Sequence, residues 1–158
     1  MQVNPWLVVA LVGVLVGADQ VRAEGPTAEA TVEVLTARTL MSAPAAPAVG
    51  LGFVSGGTLL QPDGTTRIGE GYSHCGVIAV SAAVPPEVTA HCTSAFRLPD
   101  GEIHFSGLRQ YKSIESGFED TTVAITGGTG TYATARGEGK VARANSRAVG
   151  YRFTFAIS

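Results

Sequence analysis

Arg109 and Tyr111 lie at the end of the segment IHFSGLRQY, in which apolar and polar residues alternate from Ile103 onward. A period of two marks a strand with one buried face, and it places both residues on the side of Ile103, Phe105 and Gly107. A guanidinium and a phenol on an apolar face are costly to bury unless they are paired or met by a ligand. Arginine in such a place orients a carboxylate or stabilises charge developing on a carbonyl oxygen, and a tyrosine donates a hydrogen bond or a proton. Arg109 and Tyr111 are therefore the candidate catalytic pair. The plainer alternative puts both at the end of the sheet, with Arg109 capping backbone carbonyls or pairing with Glu119.

The elements that position this pair read as strands throughout. After a connector rich in Pro and Ala at 42–49, short runs of Val, Ile, Thr and Phe alternate with turn residues. Strands are expected near 30–36, 51–60, 67–80, 88–98, 102–110, 119–126, 137–144 and 149–157, and no helical period of comparable length competes. Eight strands of similar length with short links predict an all-β fold, a closed antiparallel eight-stranded β-barrel with a central cavity, because closure removes the unpaired sheet edges.

Two hairpins can be registered from the residues. Folding the strand from Arg67 back at Ala82 to Pro86 and pairing Ala79 with Val88 sets Val77 opposite Ala90, Cys75 opposite Cys92, Ser73 opposite Ser94 and Glu70 opposite Arg97. Two cysteines and an opposite-charge pair thus agree on one alignment. The next turn offers Asp100-Gly101 as a two-residue type I′ loop, which puts Phe96 beside Phe105 and Leu98 beside Ile103. These registers collect Gly69, Gly71, Ser73, Cys75, Val77, Cys92, Ser94, Phe96, Phe105, Arg109 and Tyr111 on one face, expected to line the interior. Glu70, Tyr72, His74, His91, Thr93, Arg97 and His104 fall on the other. The small residues of the inner face leave room for a ligand, with Ser73, Ser94, Phe96, Phe105 and Phe153 as candidate contacts. For the phenylalanines core packing is the competing role, and for the serines a bond to each other or to backbone.

Other chemistry fits less well. In this register His104 falls beside Arg97, about 20 Å from His91 at roughly 3.3 Å per residue, so the three histidines do not converge and no metal is expected. The chain has no Gly-x-Ser-x-Gly elbow. Gly127, Gly128 and Gly130 could be taken for a phosphate cradle, but no Lys-Ser or Lys-Thr follows and the chain returns directly to strand, so they read as a structural turn. The 11 Lys and Arg against 13 Asp and Glu give a net charge of -2 with no basic run, which argues against nucleic acid as a partner. Charged residues are only 15% of the 158 and glycine supplies 20, consistent with many turns rather than disorder or coiled coil.

Residues 6–18, WLVVALVGVLVGA, form an apolar run of 13, too short for a bilayer span and followed by Val21-Arg22-Ala23. This is the shape of a signal peptide over 1–23 with cleavage before Glu24, although MQVNPW carries no Lys or Arg; the alternative is an uncleaved membrane anchor. The mature domain is then 24–158, a secreted protein with no membrane contact after cleavage. An oxidising compartment lets Cys75 and Cys92 form a disulfide.

The segment EDTTVAITGGTGTYATARGEGKV, with Ala124, Ile125, Thr126, Gly127, Gly128, Gly130, Tyr132, Gly137 and Val141, resembles the signature of the allene oxide cyclase and dirigent superfamily. The resemblance extends through RIGEGYSHCGVIAV, IHFSGLRQY and GYRFTFAIS, over about 95 residues from 64 to 158. It implies a barrel that binds a small lipophilic molecule without a cofactor, in a dimer or trimer. It also places Cys75 at the position of the cyclases' cavity cysteine. Matching Arg38 to the family's arginine puts the first-strand polar positions on Val34 and Thr36 and the second-strand position near Ser55, so the cyclases' Glu and Asn residues are absent here.

Three functions are in competition: a secreted, cofactor-free cyclase or isomerase that holds its substrate folded, a carrier or dirigent-type director of radical coupling, and a structural barrel with a filled core.

Overall fold

The computed structural model describes residues 29–146 and 150–158; the expected signal peptide and its cleavage site lie outside them. The valine-, threonine- and phenylalanine-rich runs form β1 (Ala30–Met41), β2 (Gly52–Leu60), β3 (Arg67–Val80), β4 (Val88–Leu98), β5 (Gly101–Ser113), the two-residue β6 (Gly117–Phe118), β7 (Thr121–Gly128), β8 (Gly137–Arg143) and β9 (Tyr151–Ile157). Hydrogen bonding runs in the order β4-β3-β2-β1-β9-β8-β7-β5, and β4 pairs with β5, so the eight long strands close into an antiparallel barrel. Short β6 hangs on β5 alone.

The inner face is the expected one. Cys75, Val77, Ala90, Cys92, Ser94, Phe96, Leu98, Ile103, Phe105, Arg109 and Tyr111 are all buried, whereas Tyr72, His74, His91, Thr93 and Arg97 are exposed. Cys75 and Cys92 oppose each other across β3 and β4 and form a disulfide, with alpha carbons 4.1 Å apart. Glu70 and Arg97 also oppose each other and are joined by a 3.2 Å ion pair.

Two details of register differ from the sequence reading. Val88 pairs with Val80, not Ala79, because one extra residue is inserted between Val77 and Ala79. The Ser81 N–H donates to the Glu87 carbonyl at 2.9 Å, and this closure brings Val80 opposite the fully buried Val88. At the second hairpin the loop is Pro99-Asp100, and Leu98 pairs with Gly101, Phe96 with Ile103, and Ser94 with Phe105. A type I′ loop on Asp100-Gly101 requires positive φ at Asp100, and among the described residues only glycines have it. Arg97 consequently faces Glu102, while His104 sits opposite Ala95 and bonds Glu102 at 2.9 Å. The slip is two residues, which preserves parity and leaves every face assignment unchanged.

Aromatic rings occupy the middle of the barrel. Phe96, Phe105, Phe153 and Phe155 pack together, edge-on for Phe96 and Phe153 with centroids 4.8 Å apart, tilted for Phe105 and Phe155 at 5.1 Å, and stacked for Phe153 and Phe155 at 5.8 Å. The small inner residues admit these rings: a Cβ on Gly71 would lie 2.5 Å from the Phe96 ring, and one on Gly139 2.7 Å from Phe155. The space predicted along the inner face is therefore partly filled, and what remains open lies toward one end.

Candidate functional site

The open space is a pocket of about 70 Å³. Its walls come from β1 (Thr36, Arg38, Met41), β2 (Ser55, Leu59), β3 (Gly71, Ser73), β5 (Arg109, Tyr111), β6 (Phe118) and β9 (Tyr151, Phe153), with Phe96 of β4 as the floor toward the aromatic core. A bulge in β1 between Arg38 and Leu40 shifts parity there, so that Arg38 and Met41, three residues apart, both face the pocket. Bulges commonly re-aim side chains in this way.

Arg109 is only 3% exposed. Its Nη2 donates to Ser73 Oγ at 3.1 Å and Ser94 Oγ at 3.0 Å, and the two hydroxyls lie 2.7 Å apart. Its guanidinium carbon sits 4.3 Å from the centroid of the Phe118 ring, a cation–π contact. Glu119 does not pair with it, being engaged by Lys112 and Arg143, and among the described residues no carboxylate lies within ion-pair distance of Arg109. Both serine bonds run through Nη2, Tyr111 also stands within side-chain hydrogen-bond reach of the guanidinium, and no fully enclosed side-chain nitrogen or oxygen lacks a partner among those residues. Nη1 and Nε are not taken up by the serines, and the guanidinium lines the pocket beside Tyr111.

Tyr111, also buried, rests its hydroxyl against the disulfide, 4.0 Å from Cys75 Sγ and 3.9 Å from Cys92 Sγ. Burial raises its pKa above the ordinary tyrosine value, against the opposing pull of the Arg109 and Arg38 charges. The phenol is thus held protonated and suits a donor rather than a base.

Phe118 reaches the pocket because β6 is clamped. Tyr151 stacks on it with centroids 4.0 Å apart, accepts from its N–H at 2.6 Å and donates to its carbonyl at 2.9 Å. Arg143 Nη2 donates to the Ser116 carbonyl at 2.8 Å and Arg38 Nη1 to the Glu115 carbonyl at 3.0 Å.

The structure thus gathers Arg109, Tyr111, Ser73, Phe96 and Phe153 at one pocket. Ser94 stands behind Ser73, and its role is to hold Arg109. Phe105 lies deeper, 1% exposed, and touches the site only through Phe96 and Phe153. Of the positions carried over from the cyclases, Thr36, Arg38 and Ser55 line the pocket, whereas Val34 is core. Phe118, Tyr151 and Met41 were not singled out as site residues. Tyr151 shares strand parity with Phe153, a usable signal, while a two-residue strand gives Phe118 none. The glycine turn belongs to the other end of β5: Gly130 has φ +58, a Cβ on Gly128 would strike Tyr132, and Thr129 bonds Glu102. Among the described residues no His, Cys, Asp and Glu cluster could hold a metal.

The family model of the allene oxide cyclase barrel-like domain matches residues 28–154. The chain belongs to that family of barrels. No curated protein matches it. Among solved structures, the barrel is similar to pyocyanin demethylase, with a TM-score of 0.66 and 20% identity over 82% of this chain and 100% of that one. It is also similar to AbnU, an exo-specific intermolecular Diels-Alderase (TM-score 0.59, 13% identity, 83% of this chain and 98% of that one). A nonspecific heme-binding cyclase that catalyses a [4 + 2] cycloaddition in neoabyssomicin biosynthesis gives a TM-score of 0.61 and 17% identity over 83% of this chain and 64% of that one. At these identities the likeness is one of fold.

Proposed function

We propose that this barrel binds a small lipophilic molecule at the Arg109 pocket and acts on it as a cofactor-free cyclase or isomerase. The observation that carries the reading is Arg109 itself, a buried cation that has no carboxylate partner among the described residues and lines the pocket. A protein that keeps such a charge inside gains from an acceptor arriving in the pocket. Arg109 then stabilises negative charge on a substrate oxygen as it develops, and Tyr111, held protonated, supplies a hydrogen bond or proton to the same region. Apolar walls and fixed rings hold the substrate folded, so that most of the rate gain comes from pre-organisation. The neighbours named as a Diels-Alderase and a [4 + 2] cyclase support a barrel of this shape as a host for such chemistry.

The protein works after export, a reading that the buried disulfide supports, since oxidising compartments are where such bonds persist.

The test is to recover the molecule that co-purifies with the protein from its own culture, incubate fresh protein with it, and follow it by chromatography and mass. Cyclisation or isomerisation yields a new peak of unchanged mass, absent with Arg109→Leu. Return of the unaltered molecule would leave a carrier, and the enzymatic reading would fall.

A further inference from the structure

Resting on that reading of the pocket, we infer that its ligand is an apolar molecule ending in a carboxylate, received by Arg109 inside and selected by Arg38 at the rim. The pocket lining contains two arginines and no acidic residue, although the whole chain has a net charge of -2. Neither arginine forms an ion pair among the described residues. Arg38 meets Glu115 through that residue's backbone oxygen, so its charge is not neutralised there. Both line the same pocket as Tyr111, which places them over one region.

The rest of the lining fixes the shape of the guest. About 70 Å³ admits only a few heavy atoms beside the guanidinium, and Phe96, Phe153 and Leu59 make the inner walls apolar. The carboxylate end therefore enters first and meets the side of the guanidinium that the serines leave unused, beside Tyr111, in a charge-assisted contact. The apolar remainder lies across Met41, Phe118 and the mouth, where Arg38 is exposed. The two arginines differ in how salt affects them, because an exposed charge is screened within about 8 Å at 0.15 M salt whereas a buried one is screened much less.

The experiment titrates phenylacetate and phenylacetamide, two probes of nearly one shape, into the wild type, Arg109→Leu, Arg109→Lys and Arg38→Gln by calorimetry at low and high salt. Circular dichroism confirms that each variant is folded. In the wild type the acid should bind at least tenfold more tightly than the amide. Arg109→Leu should bring that ratio to within about twofold at either salt concentration, and Arg109→Lys should retain part of it. Arg38→Gln should weaken acid binding several-fold at low salt and little at high salt. Equal binding of acid and amide by the wild type would overturn the carboxylate class and leave the pocket reading standing. An acid preference that survives Arg109→Leu would overturn the role of Arg109. Binding of neither probe would overturn the inference, and the pocket reading would then stand or fall on the co-purified molecule.

Discussion

At the scale of single residues the site is organised around a charge and the groups that hold it still. Ser73 and Ser94 accept from Arg109 and also bond each other, so removing the guanidinium leaves the hydroxyls paired. Replacing a buried charge that has no ion-pair partner by an apolar side chain of similar size removes a desolvation cost. Arg109→Leu should therefore fold with an unchanged or higher melting temperature while losing its ligand; thermal unfolding of the two proteins checks this, and a collapsed fold would contradict it. Tyr111 predicts a pH effect with a definite sign. Its folded pKa lies above the ordinary value of 10.0, chiefly through burial, so its contribution to stability is whole below that value. It fades as the pH rises further, because the unfolded chain ionises first. Denaturant titrations above pH 10 should show a steeper loss for the wild type than for Tyr111→Phe. Arg109 and Tyr111 were legible in the sequence because two side chains on one strand parity must share a face. The use of Ser73 and Ser94 to brace Arg109 was not legible, since register places hydroxyls opposite each other without saying what third group reaches them. Arg38 and Met41 join one wall only because a bulge breaks the alternation, and alternation is all that a sequence displays.

Among the elements, the β3–β4 hairpin is the cross-linked frame of the pocket, with the Cys75–Cys92 bond against Tyr111. The bond closes a sequence separation of 17 residues, for which the chain-entropy model gives about 3 kcal/mol. The hairpin already restrains that loop, so a Cys75→Ala, Cys92→Ala double variant should lose about 1–3 kcal/mol in urea unfolding. Gly71 on the same strand makes room for Phe96. A Cβ there meets the ring, and the ring must move into the pocket or strain the core, so Gly71→Ala should destabilise by about 1–3 kcal/mol and weaken ligand binding together; unfolding and titration of the one variant read both. The cysteine pairing and the Glu70–Arg97 contact were legible because two independent features chose one alignment. The following hairpin was placed two residues out, since Asp-Gly is a strong turn signal, whereas the chain turns at Pro99-Asp100 and leaves Gly101 to approach Thr129. A slip of two residues keeps each side chain on its face, which is why the face assignments survived the misplacement.

For the molecule as a whole, the closed eight-stranded barrel followed from strand count, spacing and the need to leave no open edge. The capacity of its interior did not follow, because glycines on an inner face either leave space or admit a neighbour's ring, and only the packing of Phe96, Phe105, Phe153 and Phe155 decides between them. The expected export also belongs to this scale. N-terminal sequencing of the protein from the culture medium should begin at Glu24, and a chain beginning at Met1 would remove the signal peptide from the account. The central claim, that the barrel holds a small molecule against Arg109, is tested most directly by native mass spectrometry of the wild type and Arg109→Leu proteins purified side by side from the natural culture. The account predicts a discrete adduct of small-molecule mass on the wild type that is absent from Arg109→Leu. Bare protein in both samples, or the same adduct on both, would contradict it.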